Sequence, residues 1–327
     1  MRNRTNIYSA DGLNGFAKAI KEAYPAGGVA IICKDKNQSK TLANILGEID
    51  YKFFYFTPTE AKSAPLKDYV RLIVGIGNID AYKATRTISP KKRCVFYAEN
   101  IDYQYFLPDN NNNYAEFLFI DRELINVNNA RAVTEIYISV FSVLTELISV
   151  SYYESGMPFI DKGLVGIIKA LKSFLFSGCD KDKYVSEGLR LIKMSIEYLT
   201  DRKITSLYIQ KAQTLYKDGL GNNFLVAYFA NMLLFFFTKW NFNDILVPAE
   251  NLVADIPAAD CFGLDNDILL TKEELHLVSF KTRGQLALPG IDYKKLFSAL
   301  QNAADKNNPL FAGINNRGII KGLVGYD

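Results

Sequence analysis

Val70-Arg71-Leu72-Ile73-Val74-Gly75-Ile76-Gly77-Asn78-Ile79-Asp80-Ala81-Tyr82-Lys83-Ala84-Thr85-Arg86 joins an apolar, β-branched run to a helical segment through two closely spaced glycines. Residues 72–74 have the composition of a strand, and residues 79–88 run to a stop at Ser89-Pro90. The unit reads as strand–loop–helix. Glycines let the backbone turn tightly, and the first helical N–H groups then point at whatever lies above the strand end. Such a loop either cradles a phosphate or turns the chain and binds nothing, because many βα turns contain two glycines.

The flanking sequence repeats the pattern. Residues 12–24 carry Leu13, Phe16, Ile20 and Ala23 at helical spacing and stop at Pro25-Ala26-Gly27-Gly28. Val29 to Cys33 is a continuous apolar strand, as expected where helices cover both faces of a sheet. Residues 38–46 read as helix, and 53–56, 94–96 and 117–120 as further strands, with a polar Asn110 to Asn113 loop between the last two. This alternation predicts an α/β, doubly wound parallel sheet over residues 1–125.

From Asp121 onward strand signals fade. Residues 132–152, 162–176, 185–199, 204–216 and 293–304 have helical periodicity, which predicts an all-α C-terminal domain over 126–327 and a cleft between the two domains. Residues 222–240 are apolar and uncharged until Lys239, a length close to a membrane span. Three asparagines lie in that run, and a helix buried inside an all-helical domain has the same composition, so it is read as buried.

Composition narrows the function classes. Hydrophobic residues make up 49% and charged residues 22% of the 327 residues, and the net charge is +3 with Lys and Arg dispersed. That argues against a nucleic-acid partner. Cys33, Cys94, Cys179 and Cys261 are far apart with no CxxC pair, which reads as free thiols in a reducing compartment. The first fifteen residues lack the apolar core of a signal peptide, so a cytoplasmic protein is expected, with no membrane partner.

The segments GGVAIICKDKNQSKTLANIL, YVRLIVGIGNIDAYKATRTIS and AEFLFIDREL resemble the N-terminal domain of the iron-containing alcohol dehydrogenase, glycerol dehydrogenase and dehydroquinate synthase superfamily. The resemblance covers residues 9–150, and beyond them rests on helix order. It implies the two-domain fold and a "GGGS..D.AK" loop that binds the pyrophosphate of NAD. Gly75, Gly77, Asp80 and Lys83 match positions of that loop, Asn78 lies within it, and Asp121 matches the end of the last strand. These five loop residues (Gly75, Gly77, Asn78, Asp80 and Lys83) are the implied cofactor contacts.

The resemblance breaks at defined places. Ile76 or Asn78 stands where the family has glycine or serine. Where the family has a threonine-rich cofactor segment, this chain has Cys94-Val95-Phe96-Tyr97-Ala98-Glu99-Asn100, and Glu99 would repel phosphate. The family's metal is held by an aspartate and two or three histidines, whereas this chain has His276 alone. No metal is expected, and no catalytic residue is assigned.

Other candidates have two readings each. Glu135, Ser139, Ser142 and Glu146 share one arc of a helix that either lines the cleft or faces water. Lys83 and Arg86, one turn apart, either meet an anionic ligand or are solvated. His276 follows a capping box of Thr271 and Glu274 and is either a general acid–base or an ordinary residue.

Three functions follow. The first is a divergent, metal-free and non-catalytic relative binding a nucleotide or phosphorylated small molecule. The second is an NAD(P)-linked oxidoreductase acting on an alcohol or polyol. The third is a dehydroquinate synthase-like lyase. A homo-oligomer is compatible with each.

Overall fold

The computed structural model describes residues 5–47, 50–63, 65–88, 92–107, 115–125, 129–150, 161–178, 180, 183–202, 207–216, 226–228, 230–231, 270–281 and 293–303. Two compact units divide the chain: Met1–Ile136 with Asp180–Leu189, and Tyr137–Cys179 with Arg190–Asp327.

The first unit alternates strand and helix: β1 (Asn6–Ala10), α1 (Gly12–Ala23), β2 (Gly27–Cys33), α2 (Lys36–Leu46), β3 (Tyr51–Phe56), α3 (Pro58–Ala61), β4 (Val70–Gly77), α4 (Ile79–Thr87), β5 (Arg93–Ala98) and β6 (Phe117–Asp121). The six strands form one sheet in the order β1-β6-β5-β4-β2-β3, with every pairing parallel. The predicted parallel sheet is therefore present. β1 (NIYSA) has no continuous apolar run to mark it as a strand in the sequence; only Ala10 of the five is buried.

Both faces of the sheet are covered, which explains the unbroken apolar runs. Val29, Ile31, Leu72 and Val74 pack beneath α1 and α2 with Phe16, Ile20 and Leu42. Ile32 and Ile73 pack on the other face with Ala61 of α3 and Ala84 of α4. Cys33 and Cys94 are buried thiols outside any disulfide; Cys179 and Cys261 lie outside the described residues.

Further helices are α5 (Arg122–Ile125), α6 (Ala130–Val150), α7 (Lys162–Lys172), α8 (Tyr184–Asp201), α9 (Tyr208–Tyr216), α10 (Lys272–Lys281) and α11 (Tyr293–Ala303). α7 runs into a π-helical turn, Ser173–Ser177, that ends at Gly178 with φ +87°. α10 has the expected capping box: Glu274 N–H donates to Thr271 Oγ1 at 3.1 Å, and Thr271 N–H donates to Glu274 Oε2 at 2.8 Å.

Of the apolar 222–240 run, residues 226–228, 230 and 231 are described, and they are helical. Val226, Ala227, Ala230 and Asn231 are buried, and Asn231 Nδ2 donates to Thr145 Oγ1 of α6. Among the described residues no helix is long and apolar enough to cross a membrane. The Asn110 to Asn113 loop lies outside them.

Candidate functional site

The strand order fixes where a ligand site of this fold belongs. β2 leads to β3 on one side of the sheet, while its neighbour β4 leads to β5 on the other. Open α/β sheets bind ligands at such a switch point, outside the carboxyl ends of the strands. Here it lies between Cys33 and Gly77.

At that point the structure corrects the predicted two-glycine loop. β4 continues through both glycines, Ile76 pairing with Cys33 and Tyr97, and Gly77 with Ala98. The strand passes to α4 through Asn78 alone. Gly75 is thus a packing residue: a Cβ there would collide with Thr85 Oγ1 and lie 2.5 Å from Phe96 Cδ2. Gly77 has φ +128°, a conformation that side chains rarely adopt, and is the true turn glycine.

Asn78 is the N-cap of α4. Its Oδ1 accepts the N–H groups of Asp80 at 3.2 Å and Ala81 at 3.4 Å. The amides that would face a phosphate therefore have an internal acceptor. Asp80 and Lys83 are exposed.

Arg86 parts company with Lys83. It is buried, its guanidinium lies over the Tyr82 ring at 4.8 Å from the centroid, and its Nη1 donates to the Leu107 carbonyl. The paired anion-binding role is thus removed, because Arg86 points into the core.

Beneath the junction sits an aromatic floor. Tyr82, Phe96 and Tyr105 have centroids 5.0–5.4 Å apart. The Tyr82 hydroxyl donates to the Tyr105 carbonyl at 2.6 Å. The Tyr105 hydroxyl donates to Asn100 Oδ1 and lies 3.4 Å from the Gly77 carbonyl.

Burial raises the pKa of Tyr82 and of Tyr105, because ionisation would place a phenolate in an apolar site. In the unfolded chain these phenols titrate near pH ~10. A folded-state pKa above the unfolded one gives stability that is full below pH ~10 and lost above it. Each of the two should make stability fall as the pH rises beyond that point. Absorbance at 295 nm during alkaline titration should show them ionising only as the protein unfolds; early, reversible ionisation of every tyrosine would contradict this.

Two carboxylates stand near the junction, Glu99 just past β5 and Glu135 on α6. Glu99 and Gln38, whose side chains were not paired in the sequence, are joined here: Gln38 Nε2 donates to Glu99 Oε1. Glu99, just beyond the end of β5, is visible in the sequence, whereas Gln38, inside α2, carries no such signal. Glu135 accepts the Ile101 N–H at 2.8 Å and Arg131 Nε at 2.7 Å. Glu135 is thus mostly withdrawn from water, and Ser139, Ser142 and Glu146 are buried, so the arc is structural rather than solvated.

A cavity of about 380 Å³ in this unit lies elsewhere, between α1 and strands β1, β6 and β5, walled by Tyr8, Tyr24, Phe117 and Phe119. His276 is exposed on α10. Among the described residues no group of three or more His, Cys, Asp or Glu side chains could hold a metal.

No family model matches the sequence, and no curated protein matches it. Solved structures do. Sulfoacetaldehyde reductase from Bifidobacterium kashiwanohense, in complex with NAD+, aligns with TM-score 0.55 at 11% identity, covering 99% of this chain and 97% of that one. An iron-containing alcohol dehydrogenase from Thermococcus thioreducens aligns with TM-score 0.55 at 13% identity, covering 99% and 98%. NADH-dependent butanol dehydrogenase A from Thermotoga maritima aligns with TM-score 0.53 at 11% identity, covering 94% and 91%.

The chain has the iron-containing alcohol dehydrogenase fold. The match spans nearly the whole length of both partners, so it extends well past the residues 9–150 that carried the sequence resemblance. Within this fold the pyrophosphate position implied by that resemblance is the β4–α4 junction. The residues there fit it poorly: Asn78 fills the acceptor role, and a carboxylate stands beside Gly77.

Proposed function

We propose that this chain is a non-catalytic relative within the iron-containing alcohol dehydrogenase fold, one that binds a small molecule without hydride transfer or a resident metal. One observation carries the reading: the only histidine of the chain, His276, is exposed on α10. Alcohol oxidation needs a group that polarises the oxygen, and a metal does this as a Lewis acid. A site built on several imidazoles cannot be assembled from one.

The competing reading is an NAD(P)-linked alcohol or polyol oxidoreductase, favoured by the NAD+ bound to the Bifidobacterium reductase of the same fold. Metal analysis of the purified protein, with NAD(P)-linked assays on alcohols and polyols, separates the two. The expected result is no stoichiometric iron or zinc, and no turnover with either metal added. Stoichiometric metal together with turnover would overturn the proposal.

A further inference from the structure

Glu99 is the residue after β5, and the parallel ladder continues one step to hold it. Its N–H donates to the Gly77 carbonyl at 3.1 Å. β4 lies between β5 and β2 in the sheet, so a side chain reaching from Glu99 to α2 must cross the end of β4. Glu99 makes that crossing. Its Oε1 accepts from Gln38 Nε2, and its Oε2 lies 3.5 Å from where a Cβ on Gly77 would be. Gln38 is tied back in turn, its Oε1 accepting from Cys33 Sγ at 3.2 Å.

The two side chains form a strap over Gly77, fixed to β5 at one end and to β2 and α2 at the other. Arg131 reaches the Glu99 backbone carbonyl at 3.4 Å, and its Nε is taken by the Glu135 carboxylate at 2.7 Å. Asn78 also occupies the first amides of α4, but it is exposed and carries no charge. The Glu99 carboxylate adds a negative charge, and Gln38 holds it in place.

From this geometry we infer that the Glu99–Gln38 strap is what keeps a dinucleotide pyrophosphate out of the switch point. Glu99 is the excluding residue and Gln38 its positioning residue. The inference deepens the reading above and rests on its placement of the dinucleotide at the β4–α4 junction. A carboxylate in contact with a phosphate, both partly desolvated, weakens binding by about a hundredfold or more.

The test is isothermal titration of the full chain with NAD+, and with ADP-ribose as the part that carries the pyrophosphate. Glu99→Ser removes both charge and strap, and should bind each at least about a hundredfold tighter than the wild type. Glu99→Gln keeps the length and loses the charge, and Gln38→Ala frees the carboxylate to swing away; both should show smaller gains. A folded Glu99→Ser protein with unchanged affinity would overturn the inference. If that variant does not fold, unchanged affinity in both Glu99→Gln and Gln38→Ala would do the same. Turnover by the wild type would instead overturn the non-catalytic reading, because the ratio between variant and wild type is a separate measurement.

Discussion

Gly75→Ala should destabilise the first unit by about 3 kcal/mol, the upper end for an overpacked core position, lowering Tm by roughly 10 °C. The added methyl has nowhere to go. It would collide with Thr85 Oγ1 and lie 2.5 Å from Phe96 Cδ2. Neither neighbour gives way cheaply. Thr85 Oγ1 donates to the Ala81 carbonyl at 2.7 Å inside α4, and Phe96 is wedged between Tyr82 and Tyr105. Relief requires α4 or β5 to move off β4, which opens the core that Ala84 and Ile73 share. Thermal or urea unfolding followed by circular dichroism measures the loss. Trimming the obstacles in a Gly75→Ala, Thr85→Ala protein should restore part of it. A single Gly75→Ala variant as stable as the wild type would show that the close packing of α4 on β4 is wrong.

That glycine also marks what the sequence could and could not disclose. The alternation of apolar runs with helical segments forecast a parallel sheet, because Val29–Cys33 and Leu72–Val74 read as strands buried on both faces and indeed are. Two glycines two residues apart suit either a phosphate loop or a turn that binds nothing. A glycine that admits a neighbouring helix looks the same in a sequence as one that admits a ligand, and only the position of Thr85 separates them. The polar arc of α6 stayed open between two readings for a related reason. Glu135, Ser139, Ser142 and Glu146 have the periodicity of a solvated face, but their partners, the backbone amides of Ile101, Ile209 and Gln210 among them, are remote in the chain. The Glu99–Gln38 contact was half visible: Glu99 puts a negative charge where the resemblance implies a phosphate, whereas Gln38 becomes relevant only once β2 and β5 flank β4.

Glu146→Ala should cost the second unit about 3 kcal/mol, summing two charge-assisted bonds and the buried amides they satisfy. α9 begins after Leu207, which occupies the N-cap position and has no side-chain acceptor to offer. The missing cap comes from α6. Glu146, fully buried, accepts the Ile209 N–H at 3.1 Å through Oε2 and the Gln210 N–H at 2.8 Å through Oε1. A carboxylate also suits this place because a helix N-terminus carries partial positive charge. Removing it strands two amides, one of them buried, and leaves a gap in a helix whose neighbouring Thr145 holds Asn231. Glu146→Gln keeps one acceptor and the side-chain volume, so it should lose about half as much. Urea titration of the three proteins gives these differences directly. If Glu146→Ala matched the wild type, α9 would have to draw its cap from somewhere other than α6.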